Sequence, residues 1–322
     1  MENSFFDDIT SYVTVFPGMH DVKNYHLERG NYGSKVVLST APQILKKNYS
    51  TEELVVNLKE ELKNYIIHLK KIYSEDYLQI LYNNLTTLKY NEQLSKKFML
   101  GNIVGGLFGQ GVTTGYYDPK KNAISILSRE QQKKLLFLMV NPNETYEETI
   151  RNLLPHELYH LATAINGQDT FYCGFRQTTS KYDVGEGINE GYTELLARRH
   201  FLIEEKNYSK LVVIVSLIEE IVGSEEMEYD YFHANLPGLI KRLAFYSNPE
   251  MAKDFILDID FYNAFDKKET FDNIIVFILN AYRNKLLKDE SIDPETVDLL
   301  LVQYQEHIES KFNKLEEKAK TK

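Results

Sequence analysis

The amino-acid sequence predicts an α+β fold in which a small mixed sheet packs against one central helix and a helical domain follows. Two short strand-like segments, 114–118 and 123–127, flank a polar turn. A long, largely apolar helical pattern follows at 145–165. Beyond Tyr208 every apolar stripe has helical spacing. With 322 residues, of which 43% are hydrophobic, the chain can bury the core that such a fold needs.

Residues 1–100 are predicted to form a mostly helical region. After an irregular start with one strand candidate, Lys35–Ser39, the residues Ser50 and Glu53 match the capping box that begins a helix. Apolar residues then recur every three or four positions, as one face of a helix requires: Leu54, Leu58, Leu62, Ile66 and Leu69. A second helical stretch is predicted from about Asp76 to Leu88.

Residues 101–205 are predicted to form the central core. The glycines between Gly105 and Gly115 lack the full spacing of a nucleotide-binding loop, so close approach of the backbone is the better interpretation. The hairpin follows, with Pro119–Asn122 as its turn. Leu135–Val140 is a further strand candidate or the end of a short helix.

The central helix is predicted to run from about Thr145 to Ile165. Thr145 and Glu148 form a second capping box, and Asn166-Gly167 closes the helix. Pro155 lacks the backbone N–H that a helix interior uses. We therefore expect the helix to kink or restart just before His156.

The rest of the chain is predicted to be mostly helical. A loop with short strands is expected at 168–186, and a helix from about Ile188 to Leu202. Residues 206–322 then form a C-terminal helical domain, in which the first apolar stripe ends at Gly223 and the last helix begins at Asp293-Pro294.

The segment His156-Glu157-Leu158-Tyr159-His160 carries the clearest chemical signal. On a helix, positions i and i+4 share a face, so both imidazoles can reach one Zn²⁺ at about 2.0–2.1 Å. Glu157 is displaced around the helix and can accept a proton from water instead of binding the metal. Two histidines on the surface of an amphipathic helix would produce the same sequence motif without binding a metal. The neighbouring apolar residues count against that interpretation, because buried polar side chains need partners: Leu153, Leu154, Leu158, Leu161 and Ala162.

A second acidic pair lies downstream, in Gly187–Glu194. Glu190 and Glu194 are also i and i+4. A catalytic zinc takes three protein ligands and keeps one position open, and Glu190 can supply the third ligand. Glu194 can accept a hydrogen bond from the other ring nitrogen of a ligand histidine. Two acidic residues on a solvated helix face are the alternative, and Glu186 or Asp183 are the next ligand candidates if Glu190 is not one.

The letters HELYH followed by NEGYTE resemble the gluzincin branch of the HExxH metallopeptidases, the branch of thermolysin and anthrax lethal factor. The gap from His160 to Glu190 is longer than in thermolysin, and the second run is closer to the NEG-x-TE form of many bacterial gluzincin-like proteins. Gly115–Leu127 is similar to the edge strand that precedes the active-site helix. The similarity covers about residues 101–201.

This resemblance implies a zincin-like catalytic core with zinc as the cofactor. It implies His156, His160 and Glu190 as metal ligands. It also implies Glu157 as the general base and Glu194 as a hydrogen-bond partner of a ligand. The oxyanion that forms during peptide hydrolysis needs a further donor. Three candidates lie on the downstream segments, although most tyrosines are packing residues with a polar tip: Tyr182, Tyr231 and His233.

Composition narrows the choice of partners and compartment. The net charge of −10 argues against nucleic acid as the main partner. No stretch approaches the roughly 20 apolar residues that span a bilayer. The acidic N-terminus does not match a secretory signal, and the single Cys173 cannot form an internal disulfide. A cytoplasmic protein is therefore expected, with leaderless export left open. The remaining histidines lack ligand spacing and are assigned structural or surface roles: His20, His26, His68, His200 and His307.

Three functions are compatible with these observations. The first is a zinc metallopeptidase that acts on a protein or peptide substrate. The second is a zinc-binding protein without turnover, which uses its cleft to hold a partner. The third is a helical interaction protein in which the HExxH letters are fortuitous. Bound metal separates the third from the other two.

Overall fold

The computed structural model describes residues 60–91, 94–96, 98–100, 102, 113–135, 146–167, 170–203 and 208–320. Several predicted features lie outside the described residues: the strand candidate Lys35–Ser39, both capping-box starts at Ser50 and Thr145, and the segment 136–140. Two compact units divide the described residues. One contains 60–166 and 197–203, and the other contains 167–196 and 208–320. The predicted domain boundaries near residues 100 and 205 stay predictions.

The first unit begins with two helices, α1 (Glu60–Ile72) and α2 (Gln79–Leu85). In α1 the predicted apolar face is confirmed, because Leu62, Ile66 and Leu69 are fully buried. The second helix is shorter than predicted, and β1 (Lys89–Asn91) follows it. This strand is not predictable from the sequence, because three mainly polar residues carry no alternating pattern; its partner in the sheet determines its conformation.

The predicted hairpin is confirmed as β2 (Gly115–Asp118) and β3 (Ala123–Ile126). The strands are antiparallel, with Tyr117 opposite Ile124. β1 pairs with β3 in parallel, so the sheet is mixed and has the order β1-β3-β2. β2 therefore lies at an edge of this sheet, where one side of its backbone is available to other groups.

Two helices complete the first unit, α3 (Arg129–Leu135) and the central helix α4 (Tyr146–Thr163). α4 continues through Pro155, so the predicted restart before His156 is wrong, and the kink expected as the alternative stays a prediction. Burial of the apolar residues on both sides of the proline outweighs one missing backbone hydrogen bond. These residues are all fully buried: Leu154, Leu158, Leu161 and Ala162.

α4 also ends earlier than predicted, at Thr163. The side-chain amide of Asn84 donates to the carbonyl oxygens of Leu161 and Ala164, both over 2.8 Å. Carbonyls in the last turn of a helix lack partners within the helix, so this amide terminates it. The chain then forms β4 (Ala164–Asn166).

The second unit opens with three short antiparallel strands, as predicted for 168–186. They are β5 (Thr170–Cys173), β6 (Arg176–Thr179) and β7 (Asp183–Val184). The helix α5 (Glu186–Phe201) follows and begins two residues earlier than predicted. Its residues to Leu196 belong to this unit, whereas its last turn belongs to the first unit.

The prediction of helices beyond Tyr208 is confirmed. The first of these helices ends at Val222 and is followed by Gly223, whose φ of +100° suits only glycine well. A 3₁₀ turn at Pro294–Thr296 precedes the last helix, as Asp293-Pro294 indicated. The helices are α6 (Ser209–Val222), α7 (Ser224–Phe232), α8 (Leu236–Phe245), α9 (Pro249–Phe265), α10 (Lys268–Lys288) and α11 (Val297–Lys320).

Helices therefore dominate the described residues, and the sheets are small, which is compatible with the predicted α+β class. The zincin-like character of the core stays a prediction. None of the helices in the described ranges combines the length and the apolar composition that crossing a membrane requires.

Candidate metal centre

The two histidines of the HExxH motif face each other on α4. Their Nε2 atoms lie 3.0 Å apart, and the rings meet edge to face with centroids 4.7 Å apart. Both side chains are buried, with exposed fractions of 8% and 9%. Two nitrogens that share a tetrahedral zinc at 2.0–2.1 Å would be about 3.3 Å apart. The pair thus already has close to the spacing that one metal ion requires.

Glu190 completes a group of three. One ligand atom from each of His156, His160 and Glu190 lies within 4.8 Å of the other two, and this cluster could hold a metal ion. Within the described part of the chain, no other group of three or more His, Cys, Asp or Glu side chains meets this condition. Two imidazoles and a carboxylate are a donor set that suits Zn²⁺ and leaves a fourth position open.

Glu157 is held by the edge strand of the mixed sheet. The backbone N–H of Tyr117, in β2, donates to Oε2 of Glu157 over 2.7 Å. The carboxyl group is buried, with 6% of the residue exposed. A backbone donor at this distance fixes the orientation of the carboxyl group, as a positioned general base requires.

Gly115 allows β2 to approach α4. A Cβ atom at this position would lie 2.3 Å from Cδ2 of Leu153, on α4, and 2.8 Å from the carbonyl oxygen of Ser125. Glycines in this segment are predicted to allow close approach of the backbone. At Gly115, the close contact is with the helix that carries the HExxH motif.

In the second unit, Asp260 holds the start of α5. Its two carboxyl oxygens accept the backbone N–H groups of Gly185 and Gly187 over 2.7 and 2.8 Å. The first N–H groups of a helix lack partners within it, so this side chain from α9 caps α5. Complete burial raises the pKa of Asp260 to about 8, and the two N–H bonds oppose this rise less strongly.

Arg176 neutralises two carboxylates that precede Glu190 in the sequence. Its Nε donates to Oδ1 of Asp183 over 2.9 Å, and its Nη1 lies 2.9 Å from Oε1 of Glu186. Burial lowers the pKa of Arg176, but the hydrogen bond to Asp183 and the charges of Glu186, Asp183 and Glu190 outweigh it, so the net shift is upward. The two alternative ligand candidates are therefore paired with a guanidinium group.

The residues on either side of Glu190 fix α5 within its unit. Oδ1 of Asn189 accepts the backbone N–H of Phe175 over 3.1 Å. The hydroxyl of Thr193 is 2.7 Å from that of Tyr231. Glu194 is buried as well, with 3% exposed. Its hydrogen bond to a ligand histidine stays a prediction.

The three oxyanion candidates each have a nearby partner. The hydroxyl of Tyr231 is fully buried beside Thr193. The hydroxyl of Tyr182 accepts a hydrogen bond from Nε2 of Gln177 over 2.7 Å, and burial together with nearby Tyr172 raises its pKa to about 12. The ring of His233 stacks on Tyr229, and its Nδ1 lies 2.7 Å from the Tyr229 carbonyl oxygen. A role for any of them in stabilising an oxyanion stays a prediction.

Sequence reasoning missed Asp260, Arg176 and the N–H of Tyr117. Asp260 lies more than seventy positions beyond the glycines that it caps, so no local spacing connects them. The N–H of Tyr117 belongs to the backbone and has no residue-type signal at all. Arg176 was detectable in principle, because a basic residue a few positions before an acidic run indicates an ion pair.

No protein-family model matches this chain, and no curated protein or solved structure gives a significant match. The gluzincin assignment therefore depends on the residues of the two motifs themselves.

Proposed function

We propose that this protein is a zinc-dependent metallopeptidase that hydrolyses peptide bonds in a protein or peptide substrate. The observation that carries the proposal is the convergence of His156, His160 and Glu190 to within 4.8 Å. The donor types fit the group: two imidazole nitrogens and one carboxylate make a three-ligand zinc site with an open position. A zinc site closed by four protein ligands would instead favour a structural role.

The proposed chemistry divides between the metal and Glu157. When bound, zinc supplies a Lewis acid that lowers the pKa of a water molecule to about 7. Glu157 accepts the proton of that water as its oxygen attacks the scissile carbonyl carbon. The C–N bond then breaks, and Glu157 returns the proton to the nitrogen of the leaving amine.

Tyr117 supports this role of Glu157. Its N–H holds Oε2 of the carboxylate at 2.7 Å, so the direction of the other oxygen is restricted before any substrate binds. A base that is oriented in advance needs no rearrangement in the transition state. Neutralisation of Asp183 and Glu186 by Arg176 supports Glu190 as the carboxylate ligand.

Metal analysis tests the proposal first. The purified protein is expected to carry about one zinc per chain, and the double variant His156→Ala/His160→Ala to carry none. The variant His233→Ala, which changes a histidine outside the cluster, is the control and should keep the metal. Zinc retained by the double variant would contradict the proposed site. Zinc present without any hydrolysis of peptides would favour the non-catalytic binding module.

A further inference from the structure

Tyr159 and Glu157 lie on opposite flanks of the ligand face of α4. Each residue turns a helix by about 100°, so His156 and His160 are separated by about 40°. Relative to the middle of this pair, Glu157 lies about 80° to one side and Tyr159 about 80° to the other. Glu157 is held by the N–H of Tyr117. The contact that holds Tyr159 is therefore the matching restraint on the other flank.

The hydroxyl of Tyr159 is bound by His200, in the last turn of α5. The phenol oxygen lies 2.7 Å from Nδ1 of His200, and Tyr159 is fully buried. The hydroxyl of Tyr73 approaches the same nitrogen at 3.3 Å. Nε2 of His68, on α1, lies 2.9 Å from the backbone oxygen of His200. His200 is thus itself held in place, and all of these residues belong to the first unit.

The backbone of α4 lacks one hydrogen bond just before the ligands. Pro155 is inside the helix and immediately precedes His156. Having no N–H, it removes one backbone hydrogen bond from the turn that leads to the ligands. Restraints through side chains therefore matter more here than in an uninterrupted helix.

From this geometry we infer that Tyr159 is a positioning residue for the metal centre, which acts through its hydrogen bond to His200. Together with the bond between Tyr117 and Glu157, it fixes the rotation of α4 about its axis. A rotation of about 10° displaces an imidazole nitrogen by about 1 Å. A functional constellation tolerates only about 0.5 Å. This inference rests on the proposed function, because it needs a metal at His156 and His160.

A tyrosine that only fills the core is the competing explanation, and Tyr73 provides the matched control. Tyr73 is also buried, with 8% exposed, and its hydroxyl approaches the same nitrogen, but it lies outside α4. Tyr159→Phe and Tyr73→Phe should each lower the free energy of unfolding by a similar amount, because each removes one hydrogen bond. Their effects on metal binding should differ.

The dissociation constant of zinc, measured by competition with a chelator, separates the two explanations. Tyr159→Phe should weaken zinc binding by about 10-fold, at the lower end of the effect of residues behind a metal ligand. The dissociation constant of zinc in Tyr73→Phe should stay within about twofold of the parental value. The absorption spectrum of the cobalt-substituted protein should shift in Tyr159→Phe alone. Equal zinc affinity in the two variants would overturn the inference while leaving the proposed function intact.

Variants of His200 provide a second, independent comparison. The side-chain oxygen of Asn can occupy the position of Nδ1 and accept the tyrosine proton, whereas Leu cannot. His200→Asn should therefore keep zinc affinity close to that of the parent, and His200→Leu should reproduce the loss seen in Tyr159→Phe. An equal loss of zinc affinity in both His200 variants would show that His200 acts through packing alone and would overturn the inference. Absence of zinc from the parent would instead overturn the proposed function, and the inference with it.

Discussion

The backbone N–H of Tyr117 lies 2.7 Å from Oε2 of Glu157, and both groups are buried. This contact joins the edge of the mixed sheet to the helix that carries both histidines. It fixes the orientation of a carboxylate next to the candidate metal centre. At Gly115, two residues earlier in the same strand, a Cβ atom would meet the side chain of Leu153 on this helix and the carbonyl oxygen of Ser125. The sheet thus contributes to the site through its backbone.

The identity of the carboxylate ligand is tested by three single variants. Glu190→Gln should weaken zinc binding strongly, because it removes the anionic ligand. Glu194→Ala should weaken it less, by about 10–100-fold, as expected for a hydrogen-bond partner of a ligand. Glu186→Gln is the matched control on the same face of α5, and it should have little effect because Arg176 already binds that carboxylate. Chelator competition gives all three values. A larger effect at Glu186 than at Glu190 would assign the ligand to the preceding turn.

The buried Asp260 gives the protein a defined pH dependence. Its pKa is raised to about 8 in the folded protein, against 3.8 for an unperturbed aspartate. Between these values the folded state binds one proton more than the unfolded state. The stabilisation of the folded state by Asp260 is therefore complete below about pH 4 and is lost as the pH rises to about 8. We expect the free energy of unfolding to fall by about 1.4 kcal/mol per pH unit between pH 5 and 7 from this group alone.

The measurement compares the metal-free parent with Asp260→Asn by denaturant unfolding across this pH range. At pH 5 the variant should be less stable than the parent, because its NH₂ group faces one of the two backbone N–H groups, whereas the hydroxyl oxygen of a protonated carboxyl group can still accept a hydrogen bond. The difference in stability should shrink as the pH rises. Asp272→Asn, in which the parent side chain is 53% exposed, is the control and should follow the parent. If the free energies of unfolding of the parent and of Asp260→Asn changed with pH in parallel, the carboxyl group would be ionised over the whole pH range.

Tyr231→Phe distinguishes packing from catalysis at a candidate oxyanion donor. Loss of the bond to Thr193 should reduce the free energy of unfolding by about 1 kcal/mol. The turnover number should change by less than about threefold. Loss of a true oxyanion donor would reduce it by about 10²–10³. Kinetics on any peptide found to be cleaved give the answer, and a decrease of that size would assign Tyr231 to the reaction.

The sequence predicted the parts of this molecule that have a local pattern. The spacing of Leu62, Ile66 and Leu69 indicated α1, and the turn at Pro119–Asn122 indicated the hairpin. The i and i+4 spacing of His156 and His160 indicated a shared face, which the 3.0 Å separation of their Nε2 atoms confirms.

Features that depend on distant contacts were not predictable in this way. β1 exists through its pairing with β3 and has no apolar alternation of its own. α4 continues through Pro155 because the surrounding leucines are buried, and burial is a property of the folded chain. The same reason applies to Asp260, Tyr117 and the bond between Tyr159 and His200. Each joins segments that are far apart in sequence, through groups that many surface residues also carry.

The most direct test of the proposed activity is the rate at which Glu157→Gln cleaves a peptide library derived from a proteome, compared with the parent at equal zinc content. The substitution keeps the shape of the side chain and removes the proton acceptor. Because His156, His160 and Glu190 are unchanged, the variant should bind zinc like the parent. Hydrolysis should fall by about 10²–10⁴, the usual contribution of a positioned general base. Cleavage by Glu157→Gln at the parental rate would contradict the account.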